Sequence, residues 1–188
     1  MSAEMPEADG QHLAATRGSQ LPRIIALIGA LLLIVSLFLP LATAVGDYRE
    51  ALEEYPDTVL DKDLDITAGE MEDLTIVEFG SVYHTLAISG YSVDESTVRV
   101  VIIIVFAACG VLTALFSALR KPVPTIVFAV LAMAALALLR WDLGDTGVVD
   151  GGRYTWGVGL YLSFVGTAVA VAGAIMMIAQ KTRLKAAA

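Results

Sequence analysis

The chain has 188 residues, 57% of them hydrophobic, with a mean hydropathy of +0.74 and a formal net charge of −8. An ordinary soluble domain is about 45–50% apolar, so lipid must replace water as the solvent for part of this one. The acidic balance sets nucleic acid aside as a partner, and the single cysteine, Cys109, excludes an intramolecular disulfide and a cysteine-based metal site.

Residues 1–20 are polar, carry Pro6, Gly10 and Gly18, and have no apolar periodicity, which predicts a disordered cytoplasmic tail. Its acids Glu4, Glu7 and Asp9 are foreign to an organellar transit peptide. From Ile24 to Ala44 runs an uncharged apolar stretch of 21 residues, about 31 Å as a helix against a hydrocarbon core of about 30 Å. This is the first expected span. Arg17 and Arg23 upstream and Ala42-Thr43-Ala44 after Pro40 also fit a signal peptide cleaved after Ala44. The long polar tail and the 16 apolar residues from Ile24 to Leu39, beyond the usual ~7–15, favour a retained anchor.

The insert between Val45 and Val98 holds fourteen acids against Arg49 and Lys62, a local charge of −12, so the rest of the chain is net positive. Asp47-Tyr48-Arg49-Glu50 has the form of an N-cap acid followed at the third position by Glu, and Tyr48, Ala51, Leu52 and Tyr55 recur at helical spacing up to Pro56. A short amphipathic helix is expected there, then an exposed acidic loop from Asp57 to Asp73. Within it Asp61, Asp63, Asp65 and Glu72 occupy the first, third, fifth and twelfth places of a calcium loop, but Ile66 stands where the turn glycine belongs. A solvated loop with no metal and no cofactor is the expected reading. Thr75-Ile76-Val77-Glu78 has the form of a capping box, and Ile76, Phe79, Val82, Tyr83 and Leu86 then share one helical face opposite Glu78, Ser81 and Thr85. That face would lie on the membrane or cap the helices.

The second span is expected at 100–119, closed by the short turn Arg120-Lys121-Pro122. The third is expected at 123–139 and the fourth at 157–179, separated by an outer loop, 140–156. In that loop Asp150-Gly151 suits a hairpin turn, and Asp142, Asp145 and Asp150 lie among glycines. Trp141, Tyr154, Trp156 and Tyr161 are placed as an interfacial aromatic belt would be. Arg17, Arg23, Arg120, Lys121, Lys181, Arg183 and Lys185 mark one side of the membrane. Five other cations are diluted over the long loops, so both termini are expected in the cytoplasm. Small residues at four-residue spacing allow close approach in lipid. Gly166, Ala170 and Ala174, with Ser163 and Gly173 beside them, and Gly110, Ala114 and Ala118 therefore predict contact between the fourth and second spans.

The expected architecture is an all-α membrane protein, a four-transmembrane-helix bundle with a small acidic extracytoplasmic insert between helices 1 and 2. In topology it is similar to claudin-like proteins, but residues 45–98 contain neither Trp nor Cys, so that family's W-GLW-C-C pattern is missing and no claudin role carries over. The leading functional expectation is a non-enzymatic accessory or interaction subunit in the plasma membrane. Its partners would be the lipid bilayer and another membrane or extracytoplasmic protein, and a homo-oligomer is open. An oligomeric channel or transporter, with outer acids concentrating cations, is the alternative, although no span carries an Asp, Glu, Lys, Arg or His to mark a pathway. A membrane enzyme comes third. It would need His84 as a base, and a lone loop histidine without a nucleophile motif is ordinarily a solvated one.

Overall fold

The structure is a computed structural model that describes residues 8–62, 66–88, 93–145, 149 and 151–186; side chains at 8–19, 61, 83–88, 93–96 and 184–185 fall outside the description. It is mostly helical, and four helices are long and apolar enough to cross a membrane: Gln20–Phe38, Thr97–Ala118, Pro122–Asp145 and Val158–Arg183. The multi-pass expectation stands on these four segments.

Helix α1 spans Ala8–Val35, so helix replaces most of the tail expected to be disordered. Once the apolar span has nucleated a helix, extension through Gln11, Leu13, Ala14 and Ala15 carries no further nucleation cost. Pro22 is tolerated inside α1, leaving the carbonyl of Gly18 without its usual donor. A single 3-10 turn, Ser36–Phe38, ends the helix, and Leu39 is extended at φ −103°, ψ 152°. The residue before a proline is driven into that region. Pro40–Ala44 is then strand β1, not the last turn of a helical span; the 24–44 span is therefore cut short at Phe38.

Helix α2 covers Gly46–Glu54 and ends before Pro56 as the periodicity predicts. Its N-cap is Val45, however, which makes no side-chain cap bond; Asp47 lies in the first turn instead. Gly46, at φ +58°, supplies the left-handed entry that a side chain would resist. Where it is described, the acidic stretch after it forms secondary structure instead of the expected loop, and residues 63–65 lie outside the description. Strands β2 (Val59–Asp61) and β3 (Ile66–Thr67) pair antiparallel, helix α3 follows at Ala68–Glu72, and strand β4 at Asp73–Thr75. Ile66, Ala68 and Leu74 are buried, which gives this charged segment an apolar anchor. Helix α4 spans Ile76–Ile88. The expected capping box forms at its start: Thr75 N–H donates to Glu78 Oε2 at 2.7 Å and Glu78 N–H to Thr75 Oγ1 at 3.1 Å.

Helices α5 (Val93–Ala118) and α6 (Pro122–Asp145) are joined by a tight turn. Arg120 N–H bonds Ser117 O and Lys121 N–H bonds Phe116 O, a Schellman closure with Arg120 at φ +56°. Strand β5 is Tyr154–Trp156, and helix α7 is Val158–Ala186. β5 joins β1, and the three-stranded sheet runs β4-β1-β5, antiparallel throughout; Val148 and Asp150, in the first arm and turn of the expected hairpin, lie outside the described residues. Ala42 faces Leu74 on one side and Trp156 on the other. Pro40 sits at an irregularity in the β1–β4 register, where its missing donor is tolerated. The all-α expectation is thus corrected by two small sheets, one of which gathers the end of α1, the insert and the second loop.

Each long helix has two long neighbours: α1 packs on α7 and α5, and α6 packs on α5 and α7. The expected pairing of the second and fourth spans is overturned. The small-residue face of α7 meets α1, whose Ala26, Gly29 and Ala30 the spacing argument passed over. A Cβ on Gly29 would sit 2.2 Å from Ala170 N, one on Gly166 2.9 Å from Gly29 O, and one on Gly173 2.4 Å from Ala26 N. The seam continues to the sheet, where a Cβ on Gly157 would lie 2.2 Å from Pro40 O and one on Gly159 2.7 Å from Leu39 O. Ala170 and Ala174 are fully buried in it. Buried Ser163 and Ser36 share a hydroxyl hydrogen bond of 2.8 Å across the same interface. By contrast Gly110 faces the side chains of Ile34 and Leu33 at 3.9–4.0 Å, and Ala114 and Ala118 are half-buried.

These distances separate two glycine-to-alanine variants. Gly29→Ala forces α1 away from α7 and should cost about 1–3 kcal/mol, as overpacking does. Gly110→Ala has room and should change stability by no more than about 0.5 kcal/mol. Thermal unfolding of the purified variants in detergent measures the difference.

Candidate functional site

The sheet and the short helices α2 and α3 form a cap at one end of the long helices, and three side-chain nodes hold it. Tyr154 is buried: its hydroxyl donates to Met71 O at 2.8 Å, and its ring meets Tyr48 edge-on with centroids 5.5 Å apart. Burial first, and its hydrogen bond to the Tyr48 hydroxyl second, raise its phenol above the ordinary value. Tyr154 is therefore a core residue and not part of an interfacial belt. The guanidinium of Arg153 lies 5.6 Å over the Tyr48 ring. Trp141 and Tyr161 do remain exposed, at 72% and 59%, and Trp156 is half-buried with the Arg140 guanidinium 5.5 Å over it.

The second node is Arg49, which donates through Nε to Glu53 at 2.7 Å and through its terminal nitrogen to Glu72, tying α2 to α3. Glu72 was one of four calcium candidates, and its carboxylate is ion-paired with Arg49 here. Asp63 and Asp65 lie outside the described residues, as does the side chain of Asp61. Among the described residues no group of three or more His, Cys, Asp or Glu side chains is arranged to hold a metal. The third node is a capping box that the spacing argument missed although Thr67-x-x-Glu70 is legible in the sequence. Thr67 N–H donates to Glu70 Oε2 at 2.9 Å and Glu70 N–H to Thr67 Oγ1 at 3.3 Å. Those bonds, the backbone one first, lower the Glu70 carboxyl below its ordinary value.

The outer skin of the cap is acidic. Asp47, Glu50, Glu53, Glu54, Asp57, Glu70 and Asp73 are exposed, and Lys62 and Arg153 are exposed cations beside them. Within this acidic skin stand three exposed apolar side chains, Tyr55 at 59%, Val59 at 44% and Leu60 at 50%. They emerge where α2 ends and β2 begins. A folded chain buries such residues when it can, so their joint exposure beside acids marks a surface suited to contact.

The amphipathic face of α4 turns inward. Ile76 and Phe79 are buried in the core, and Gly80 brings α4 against Ile103 of α5. Val82 is half-buried, and the side chains of Tyr83, His84 and Leu86 fall outside the description. Where α5 meets α6, Arg99 Nε donates to Asp142 Oδ2 at 2.5 Å, with Arg99 only 9% exposed. Sequence reading placed both residues in loops and left them unpaired; the signal it lacked was the longer reach of α5 and α6, which carries each past the expected span ends.

No known protein family matches the chain, and neither do curated proteins or solved structures.

Because the Glu70 carboxyl is lowered in the fold, its support of α3 is complete above the ordinary value of 4.5 and disappears as pH falls through the folded value. Hydrogen exchange at residues 68–72 should accelerate on acidification below that value. Glu70→Gln, which retains an acceptor but no charge, should shift most of that acid response away.

Proposed function

We propose that this chain is a non-enzymatic accessory or interaction subunit of the plasma membrane, whose acidic cap stands outside the cytoplasm and docks another membrane or extracytoplasmic protein. The observation that carries this is the exposed trio Tyr55, Val59 and Leu60 set among the acids of α2. Aromatic and aliphatic anchors ringed by one sign of charge suit a partner that presents an apolar pocket with a basic rim. The cap is also held stiffly by the Arg49 and Tyr154 nodes, so it would lose little conformational freedom on binding. The four helices hold it at the membrane as a bundle. Orientation follows the seven cations clustered at the chain ends and at Arg120-Lys121, which retain that side in the cytoplasm.

Two measurements test this reading. Purification in mild detergent should recover a stoichiometric partner; Tyr55→Ala should weaken that complex about five- to thirty-fold, the effect of losing an anchor worth 1–2 kcal/mol. Recovery of a lone monomer, or a Tyr55→Ala complex of unchanged affinity, would count against it. For topology, a cysteine at Lys62→Cys should react with a membrane-impermeant maleimide on intact cells, and one at Lys181→Cys should react only after permeabilisation. The reverse pattern would invert the protein.

A further inference from the structure

Two cavities open side by side at the C-terminal end of α6, and Trp141 and Asp145 line both. The first, about 390 Å³, has Val98 and Ile102 of α5 and Leu138 of α6 as its apolar walls. The second, about 540 Å³, runs toward α7 between Ala137 and Phe164 and is closed by Trp156. Trp141, 72% exposed, is therefore a ridge between two grooves. Both grooves are apolar along the helices and charged at the cap end. The Arg99–Asp142 pair borders the first, and Arg140, lying over Trp156, borders the second.

Asp145 is the residue common to both rims. It is exposed, it is the last residue of α6, and α6 has no basic residue in its last turn. The negative end of the helix dipole faces that turn, so a carboxylate there is electrostatically uncompensated and attracts a cation. Among the described residues Asp145 forms no ion pair.

We propose that this double groove binds a zwitterionic phospholipid of the ethanolamine type, one acyl chain on each side of Trp141, its ammonium on Asp145 and its phosphate toward Arg140. The site rests on these helices crossing a membrane and not on the cap having a protein partner. Two adjacent grooves that share Trp141 and Asp145 fit two chains joined at one headgroup, whereas a partner helix would need one continuous channel. An anionic lipid would bring its phosphate against Asp142 and Asp145 with no ammonium to offset them. A primary ammonium both neutralises Asp145 and donates charge-assisted hydrogen bonds to it.

The chain has two tryptophans, and both line these grooves, so fluorescence excited selectively at tryptophan reports from this site alone. The full-length protein is reconstituted in vesicles of equal parts phosphatidylethanolamine and phosphatidylglycerol, with brominated acyl chains on one lipid or the other. Brominated phosphatidylethanolamine should quench more, with a relative occupancy about two- to five-fold higher, as expected for one exposed charge pair. Asp145→Asn should abolish that preference while the melting temperature stays unchanged. Equal quenching by the two lipids, a preference for phosphatidylglycerol, or a preference that survives Asp145→Asn would overturn the site while leaving the membrane placement intact. No quenching by either lipid would overturn the site and the membrane placement together.

Discussion

Direct backbone contact between α1 and α7 is the constraint on which the rest of the structure depends. Five glycines, Gly29, Gly157, Gly159, Gly166 and Gly173, have no room for a Cβ, so the first and last long helices meet main chain to main chain from Ala26 to the sheet. In lipid no hydrophobic drive pulls helices together, and close van der Waals approach with an occasional hydroxyl bond does that work. The Ser36–Ser163 bond is the polar element of the seam, and the other hydroxyls mostly return to their own helices: Thr113, Ser117, Thr125 and Thr167 each bond a carbonyl four residues back. Those hydroxyls satisfy themselves without specifying a neighbour.

The seam also decides what happens beyond the helices. Because Gly157 and Gly159 admit Pro40 and Leu39 so closely, the chain leaving α1 is fixed beside the chain entering α7, and β1 forms with β5 on one edge and β4 on the other. A segment that would otherwise finish a helix becomes the central strand of a sheet. The cap is then assembled on that strand, with α2 and α3 linked through Arg49 and the second loop pinned by Tyr154. An acidic insert gains order in this way. Its charges remain outside, while Leu52, Ile66, Ala68 and Leu74 supply the buried surface that a solvated loop would lack.

The proposed docking surface and the lipid groove occupy different parts of this frame. The trio Tyr55, Val59 and Leu60 is carried by the α2–β2 connection, and the groove by α5, α6 and α7 around Trp141. Their separation means that one can be altered while the other is left in place. The groove exploits a change from apolar helix to charged cap, which is where an amphipathic ligand finds both kinds of contact.

Hydropathy and composition by themselves determined that four segments are long and apolar enough to cross a membrane, because that signal is a sum over some twenty residues and no tertiary contact reverses it. Local spacing was equally sufficient for the capping box at Thr75 and Glu78 and for the end of α2 before Pro56, since each involves neighbours within one helical turn. Tertiary structure alone decided the rest. The partner of α7 depended on small residues in α1 that look ordinary among its leucines. The strand at Pro40–Ala44 depended on two edges contributed by residues at least thirty and more than one hundred positions away. Tyr154 and Asp142 changed from loop residues to a core phenol and half of an ion pair for the same reason: their partners, Met71 and Arg99, are distant in sequence, and only the folded chain brings them within hydrogen-bond reach.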